Sequence, residues 1–299
     1  MDKIEIISGY QASALAQRIA QHLGLNYSPA TIKTFPDGEL YLRLHSDVKN
    51  KKLILLVNFG KRPNEALVET LFLSETMHEK GVEEVILVAP YLPYLRQDAE
   101  FNLGEVVSAK MLANLLYKAH IDALVTVDPH LHRFKELSEL FKMKAVKVTA
   151  MPLLAEFFLK NFGEALVVAP DEEAEQWARV FSEKINSPYV VLEKHRYSDT
   201  EVEVSGSMPR GSSAVIVDDI ISTGGTIVET TRKLREQGFT SIYVCVTHAL
   251  LVQDADSRIF QAGVKGIVST DTVINPYVCV SVAKVISEAL EGLIKDAGD

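Results

Sequence analysis

The sequence predicts an α/β protein built from two duplicated domains, each a mainly parallel sheet flanked by helices. Three observations support this fold class. Short apolar runs alternate with helical patterns along almost the whole chain, as in βαβ units. The same spacing between a valine and a glutamate occurs twice in the chain, from Val57 to Glu69 and from Val217 to Glu229. The length of 299 residues is sufficient for two domains of ordinary size.

The expected strands are short, apolar and rich in β-branched residues, which is typical of buried parallel strands. They span residues 4–8, 53–57, 84–89, 123–127, 166–169, 189–192, 214–217, 241–246 and 266–269. Segments with helical periodicity lie between them, at residues 12–23, 65–80, 108–118, 151–162, 173–185, 227–237 and 280–295. Residues 200–204 alternate polar and apolar side chains, which predicts an exposed antiparallel arm.

The repeated spacing predicts two halves of one ancestral α/β fold. Asn58 follows Val57 in the first half, whereas Asp218-Asp219 follows Val217 in the second. The halves would meet near residues 146–150. We therefore predict domains at residues 1–147 and 148–299, with the last helix as a candidate for packing on the first domain. Chance similarity between two α/β halves is the alternative.

The composition is that of a globular protein without a membrane span or a nucleic-acid partner. Apolar residues make up 47% and charged residues 24% of the chain, and no apolar run approaches the roughly 18 residues that a span needs. The net charge of −9 argues against nucleic acid as the main partner. The charged N-terminal segment does not read as a signal peptide. Cys245 and Cys279 lie in apolar runs, so we expect buried free thiols and a cytoplasmic protein.

The segment 215–226 carries the most chemical information. An apolar run ends in Asp218-Asp219, and a turn of small residues, Ser222-Thr223-Gly224-Gly225-Thr226, precedes a helical pattern. Backbone N–H groups at a helix N-terminus form a cradle for phosphate. The carboxylates repel phosphate and suit sugar hydroxyls or Mg²⁺. The segment therefore indicates a phosphorylated sugar held at both ends, against the alternative of an ordinary strand, turn and capped helix.

This segment resembles the phosphoribosyl-diphosphate (PRPP) binding loop of type I phosphoribosyltransferases and PRPP synthetases. Further motifs occur in the order found in PRPP synthetases. They are Phe35-Pro36-Asp37-Gly38-Glu39, Arg96-Gln97-Asp98, Asp128-Pro129-His130, Pro170-Asp171 and Lys194-His195-Arg196. Over most of its length the chain is thus similar to the ribose-phosphate pyrophosphokinase family, with its phosphoribosyltransferase-like domains.

The resemblance implies transfer of the diphosphoryl group of Mg-ATP to the 1-hydroxyl of ribose 5-phosphate, giving PRPP and AMP. It implies Lys194 and Arg196 as catalytic residues, and His130 and Asp171 as ligands of Mg²⁺. The implied ATP-binding residues are Phe35, Asp37, Glu39, Arg96, Gln97 and His130. The implied ribose 5-phosphate-binding residues are Asp171, Asp218, Asp219, Ser222, Thr223, Gly224, Gly225 and Thr226. In the family the Phe-x-Asp-Gly-Glu motif contacts adenine across a subunit interface, which implies a homo-oligomer built from dimers.

The chain departs from the family pattern after Arg96-Gln97-Asp98. Many relatives that are controlled by phosphate and ADP carry basic residues there, whereas this chain has Glu100 and Glu105. Two other functions remain open from the residues alone. One is a phosphoribosyltransferase that consumes PRPP, and the other is a non-catalytic regulatory relative of the synthetase. The duplicated half argues against the first, and the retained Lys194, Arg196 and His130 argue against the second.

Overall fold

Alternating strands and helices build two separate units, which the computed structural model describes over residues 3–192 and 212–296. One unit comprises Met1–Thr149 together with Ser281–Asp299, and the other comprises Ala150–Val280. The segment with Lys194 and Arg196 and the arm expected at 200–204 lie outside the described residues.

The first unit contains a parallel sheet and a separate hairpin. Its elements are β1 Ile4–Ser8, α1 Ser13–Leu23, β2 Asn26–Pro29, β3 Thr31–Thr34, β4 Leu40–Arg43, β5 Lys52–Leu56, α2 Pro63–Glu79, β6 Glu84–Ala89, α3 Ser108–Lys118, β7 Ala123–Val127 and β8 Lys144–Val148. The sheet has the order β2-β1-β5-β6-β7-β8, with all neighbouring strands parallel. Strands β3 and β4 pair with each other in antiparallel orientation.

The second unit repeats this strand order. Its elements are α4 Met151–Phe162, β9 Leu166–Ala169, α5 Glu175–Ile185, β10 Tyr189–Val191, β11 Ser213–Ile221, α6 Gly225–Glu236, β12 Ser241–Ala249, α7 Ala255–Ala262, β13 Val264–Thr270 and β14 Val278–Val280. They form a parallel sheet of order β10-β9-β11-β12-β13-β14. Two sheets with one order confirm the predicted α/β class and its duplication.

Helix α8, Ala283–Asp296, belongs to the first unit, where it contacts α1, β7 and β8. In each sheet the central strands are buried along most of their length: every residue of β7 and of β9 is buried. This explains why these strands are continuous apolar runs in the sequence. No helix in the described part of the chain is both long and apolar enough to cross a lipid bilayer.

The sequence patterns missed several short or marginal elements. Strands β2 and β8 lie at sheet edges and lack a continuous apolar run, β14 has only 3 residues, and α7 has only 8 residues. Strands β11 and β12 extend beyond the predicted ends because their pairing continues past Asp218 to Ile221 and Ala249. The expectation of two buried thiols is wrong for Cys279, which is exposed on edge strand β14, whereas Cys245 is buried.

A buried carboxyl group supports the loop after β1. Glu69 on α2 is 3% exposed, and its Oε1 atom accepts a hydrogen bond of 3.0 Å from the backbone N–H of Tyr10. A Cβ atom at Gly9 would lie 1.8 Å from the same oxygen, so the glycine makes this approach possible. Burial raises the pKa of Glu69 to about 7, although the Tyr10 N–H and the Arg62 charge both act to lower it.

We predict that Glu69→Gln removes a pH dependence of stability. Between pH 4.5 and about 7 the folded protein keeps a proton that the unfolded chain has lost, so stability falls as pH rises through this window. The raised pKa corresponds to about 3 kcal/mol at neutral pH. Urea unfolding from pH 4.5 to 8 should therefore show a flatter profile and greater stability at pH 7 for Glu69→Gln. Glu229→Gln, on the counterpart position of α6, should keep the wild-type profile. Equal profiles for Glu69→Gln and wild type would contradict the prediction.

Candidate functional site

The centre of the second sheet contains a topological switch point between β9 and β11. From β9 the chain continues to its neighbour β10 on one side, and from β11 it continues to β12 on the other. Open α/β sheets bind ligands at such a point, beyond the carboxyl ends of the strands. Asp171 follows β9 and Asp218 to Thr226 form the end of β11 and the turn behind it. The structure thus brings the expected sugar-binding and phosphate-binding residues of this unit to one crevice.

Three carboxyl groups meet at this crevice. Asp219 is 4% exposed, and its N–H donates a hydrogen bond of 2.9 Å to the Asp218 carboxylate. The Asp171 carboxylate accepts a hydrogen bond of 3.2 Å from the Ala174 N–H. Burial, followed by the charges of Asp219 and Asp171, raises the pKa of Asp218 well above its ordinary value, although part of its side chain reaches the surface. Such a cluster favours a cation or the hydroxyl donors of a sugar.

The turn at the end of β11 presents backbone N–H groups. Gly224 has a φ of 75° and is the N-cap of α6, which begins at Gly225. A glycine has no side chain with which to cap the first turn, so the N–H groups at the start of α6 are left for another acceptor. Together with the helix dipole they provide an anion site. Ser222 and Thr226 are half-buried and Thr223 is exposed, so hydroxyl groups flank this site.

Residues after β12 hold the turn in place through backbone hydrogen bonds. The N–H groups of Leu250 and Leu251 donate to the Ile221 carbonyl at 3.0 and 3.1 Å, and the Val252 N–H donates to the Ser222 carbonyl at 3.0 Å. A Cβ atom on Gly224 would meet Ile259 Cδ1 at 2.9 Å and Ala255 Cβ at 3.3 Å. Helix α7 therefore packs directly against the turn.

We expect Gly224→Ala to disrupt the turn and Gly225→Ala to leave it intact. Alanine at position 224 would be strained by the positive φ and would press against Ile259 on α7. A Cβ atom at Gly225 meets nothing within 4 Å. Gly224→Ala should lower the free energy of unfolding by about 1–3 kcal/mol, whereas Gly225→Ala, at the first position of α6, should leave it unchanged or raise it by less than about 1 kcal/mol. Urea denaturation of the two variants measures the difference, and equal losses would refute the packing argument.

In the first unit, Phe35 lies in the turn between β3 and β4. Its N–H donates to the Glu39 carbonyl at 2.8 Å, and its ring meets the Tyr41 ring edge-to-face at 6.2 Å. Phe35, Asp37 and Glu39 are all exposed. The turn borders a cleft of about 450 Å³, which is lined by Phe35, Leu40, Tyr41, Leu42, Phe72, Glu75, Thr76 and Glu79. Aromatic rings suit a purine, whereas the two glutamates disfavour a triphosphate.

The other expected ATP-binding residues lie on loops at the carboxyl ends of β6 and β7. Arg96 is exposed and Gln97 is half-buried. The buried Asp98 accepts a hydrogen bond of 2.6 Å from Arg133, and this ion pair ties the Arg96-Gln97 loop to the loop that carries His130. The cleft lined by Phe35 includes neither Arg96, Gln97 nor His130. In the described part of the chain, the cleft at Phe35 therefore does not bring all the expected ATP-binding residues together.

His130 is in contact with the exposed His132, which the motifs did not single out. The Nε2 atoms of the two rings form a short hydrogen bond, and the ring centroids lie 3.8 Å apart in perpendicular orientation. Asp128, directly after β7, is buried and has a positive φ of 38°, a strained conformation often found at functional sites. The His-x-His spacing was the available signal, because side chains two residues apart on an extended segment point the same way.

Carboxylates stabilise the loop that follows Asp98. Glu105 accepts hydrogen bonds from the N–H groups of Phe101 and Asn102 and from the Asn102 side chain, and these bonds lower its pKa. Glu100 accepts a hydrogen bond from the Gly104 N–H. The loop's own carboxylates therefore satisfy N–H groups that an external anion would otherwise bind.

The carboxylates at the crevice suit Mg²⁺ that is shared with substrate phosphates and water. Within residues 3–192 and 212–296, no group of three potential ligands is arranged to hold a metal ion. Magnesium usually binds through one or two carboxylates together with substrate phosphates and water. Carboxylates of this kind are provided by the half-buried Asp171 and by its neighbours Asp218 and Asp219.

Comparison with known proteins agrees with the geometry. The N-terminal domain of ribose phosphate pyrophosphokinase matches residues 4–119, and the phosphoribosyl transferase domain matches residues 136–278. Ribose-phosphate pyrophosphokinase 1 of Archaeoglobus fulgidus is 35% identical, over 95% of this chain and 99% of its own length. The ribose-phosphate pyrophosphokinase of Methanothermobacter thermautotrophicus is 38% identical, over 96% of this chain and 100% of its own length.

A solved structure shows the same fold. The phosphoribosylpyrophosphate synthetase from Mycobacterium smegmatis superposes with a TM-score of 0.85 at 23% identity, covering 98% of this chain and 99% of that one. The similarity therefore includes both units and extends over nearly the full length of each chain.

Proposed function

This chain belongs to the ribose-phosphate pyrophosphokinase family, and from that premise we propose how its residues divide the reaction among them. It makes PRPP and AMP from ATP and ribose 5-phosphate. The full-length similarity to ribose-phosphate pyrophosphokinases argues against both a transferase that consumes PRPP and a non-catalytic relative. The observation that carries the residue assignment is the meeting of three carboxyl groups and a phosphate-type turn at one switch point.

Ribose 5-phosphate is bound across the switch point of the second unit. Its 5-phosphate accepts hydrogen bonds from the N–H groups of Ser222 to Thr226 and from the flanking hydroxyls. Asp218 and Asp219 accept hydrogen bonds from the ribose hydroxyls, and Asp171 contributes the third carboxylate at this end of the site. The separation of anion-binding turn and carboxylates along β11 orients the sugar, because a reversed sugar would place phosphate against carboxylates.

Asp171 and His130 are the proposed ligands of Mg²⁺, which the family generally requires. When bound, the ion neutralises the charge that develops on the transferring phosphoryl groups. The acidic cluster formed by Asp171, Asp218 and Asp219 favours a divalent cation, because their mutual repulsion decreases when a positive charge lies nearby.

ATP is assigned to Phe35, Asp37, Glu39, Arg96, Gln97 and His130. Arg96 and Gln97 suit phosphate or base, and the Phe35 ring suits adenine. Phe35 lines a cleft that does not include Arg96 or His130, which supports an ATP site completed by Phe35 of a second copy. We accordingly propose a homo-oligomer built from dimers.

The chemical step is an in-line transfer. The ribose 1-hydroxyl oxygen forms a bond to the β-phosphorus as the bond from that phosphorus to the oxygen shared with the α-phosphate breaks. The hydroxyl proton is released and AMP leaves. Lys194 and Arg196, which lie outside the described residues, are proposed to stabilise charge at the transferring group. The protein's main contribution is positioning and charge compensation.

Phosphorus-31 NMR of the purified chain with Mg²⁺, ATP and ribose 5-phosphate tests the function. We expect AMP and PRPP to appear in equal amounts, with no ADP and no inorganic phosphate from ATP. Omission of ribose 5-phosphate is the control and should leave ATP intact. Intact ATP in the complete mixture, with a folded protein, would overturn the proposal.

Lys194→Ala should lower kcat by at least about 100-fold while leaving the Kd for ribose 5-phosphate within about twofold of wild type. A charge that acts only on the transferring group contributes to the transition state and not to sugar binding. Steady-state kinetics and calorimetric titration separate the two quantities. Lys184→Ala, which removes an exposed ion pair with Glu156 on the surface of the second unit, is the control. Near-normal turnover of Lys194→Ala would exclude its catalytic role.

A further inference from the structure

We propose that Arg258 on α7 is a positioning residue of the phosphate-binding turn, which holds the Thr223–Gly224 peptide so that the Gly224 N–H faces the 5-phosphate. The proposal rests on the assignment of ribose 5-phosphate to this turn. Sequence reasoning did not single out Arg258, because it lies on a short helix that the sequence patterns missed.

The contact that carries the proposal joins α7 to the turn. The Nη2 atom of Arg258 donates a hydrogen bond of 2.6 Å to the Thr223 carbonyl oxygen. A donor with a full positive charge makes a stronger hydrogen bond than a neutral one. Thr223 itself is exposed, so without this donor its carbonyl would be hydrated and less constrained.

Helix α7 is held firmly enough to serve as the support. Ile259 and Ala255 pack against the Cα side of Gly224. Between these two residues on the helix, Asp256 accepts a hydrogen bond of 2.9 Å from the Tyr277 hydroxyl. The Arg258 N–H continues the helix by donating to the Asp254 carbonyl at 3.2 Å. The guanidinium group therefore extends from a helix whose position is set by both apolar and polar contacts.

The direction of the Thr223 carbonyl determines the direction of the next N–H group. A trans peptide is planar, so its C=O and N–H bonds point in opposite directions. With the Thr223 oxygen bound to Arg258 on the α7 side, the Gly224 N–H is directed to the opposite side of the turn. Glycine at 224 tolerates several backbone conformations, so a specific orientation of this peptide requires an external restraint.

Arg258 also adds a positive charge close to the turn. The chain has a net charge of −9, and Asp218 and Asp219 lie near the end of β11, the strand that leads into this turn. A guanidinium within the first contact layer of the turn offsets part of this negative potential for an incoming dianion. Because Arg258 is exposed, this part of its effect should decrease at high ionic strength.

Steady-state kinetics of Arg258→Gln test the proposal. We expect KM for ribose 5-phosphate to rise about tenfold, which corresponds to about 1.4 kcal/mol, with kcat and KM for ATP within about twofold of wild type. Arg258→Lys, which keeps a charged donor but replaces the guanidinium group by a single ammonium group, should recover part of the loss. Arg232→Gln removes an exposed arginine from α6 and should match wild type.

Hydrogen–deuterium exchange of the segment around Gly224 provides a readout independent of turnover. Ribose 5-phosphate should slow exchange in wild type and in Arg232→Gln, and should do so much less in Arg258→Gln at the same concentration. If Arg258→Gln is too unstable to purify, Arg258→Lys must show an intermediate KM and intermediate protection.

Two results would overturn the proposal. One is an unchanged KM for ribose 5-phosphate in Arg258→Gln, and the other is an equal change in kcat and in both KM values, which would indicate a general structural defect. Neither result affects the proposed function, because that is tested by PRPP formation in the wild-type protein.

Discussion

The parallel pairing of β9 with β11 is the constraint on which the candidate site depends. The register places Val167 beside Val215 and Val168 beside Ile216, and these residues are fully buried. Because the strands are parallel neighbours, their carboxyl ends lie side by side, and the chain then diverges toward β10 and β12. A crevice opens between them, with Asp171 on one side and the β11 turn on the other. The apolar core thus holds like-charged carboxylates together against their repulsion, an arrangement that free side chains would avoid.

The first unit has the same strand order, yet its equivalent switch point between β1 and β5 is filled by protein. Glu69 lies beneath Gly9 and accepts the Tyr10 N–H, and the Arg62 guanidinium lies 5.0 Å above the Tyr10 ring. At the counterpart of Glu69 in the second unit, Glu229 instead pairs with Lys233 at 3.0 Å. The two copies of the fold therefore use this glutamate differently: Glu69 supports the loop after β1, whereas Glu229 forms an ion pair on its own helix.

The loops beyond β6 and β7 show how the expected ATP-binding residues are supported by side-chain contacts outside regular secondary structure. The Asp98–Arg133 ion pair joins the two loops, and Arg133 also lies 4.8 Å above the Phe101 ring. The carboxylates of Glu100 and Glu105 satisfy the N–H groups of the intervening loop. This loop is therefore organised by its own charges and offers little attraction to an anion.

The sequence alone determined the α/β class, the duplication, the central strands and the segment from Asp218 to Thr226, because apolar runs and turn residues are local signals. It also indicated Phe35, Arg96 and His130 through motifs, whose roles stay predictions. Only the tertiary structure decided what depends on contacts between distant residues: the burial of Glu69, the pairing of His130 with His132, and the contact of Arg258 with the Thr223 carbonyl. The edge strands β2, β8 and β14 and the helix α7 were missed for the same physical reason. Their stability comes from neighbours that the chain folds beside them, and not from a periodic pattern of their own.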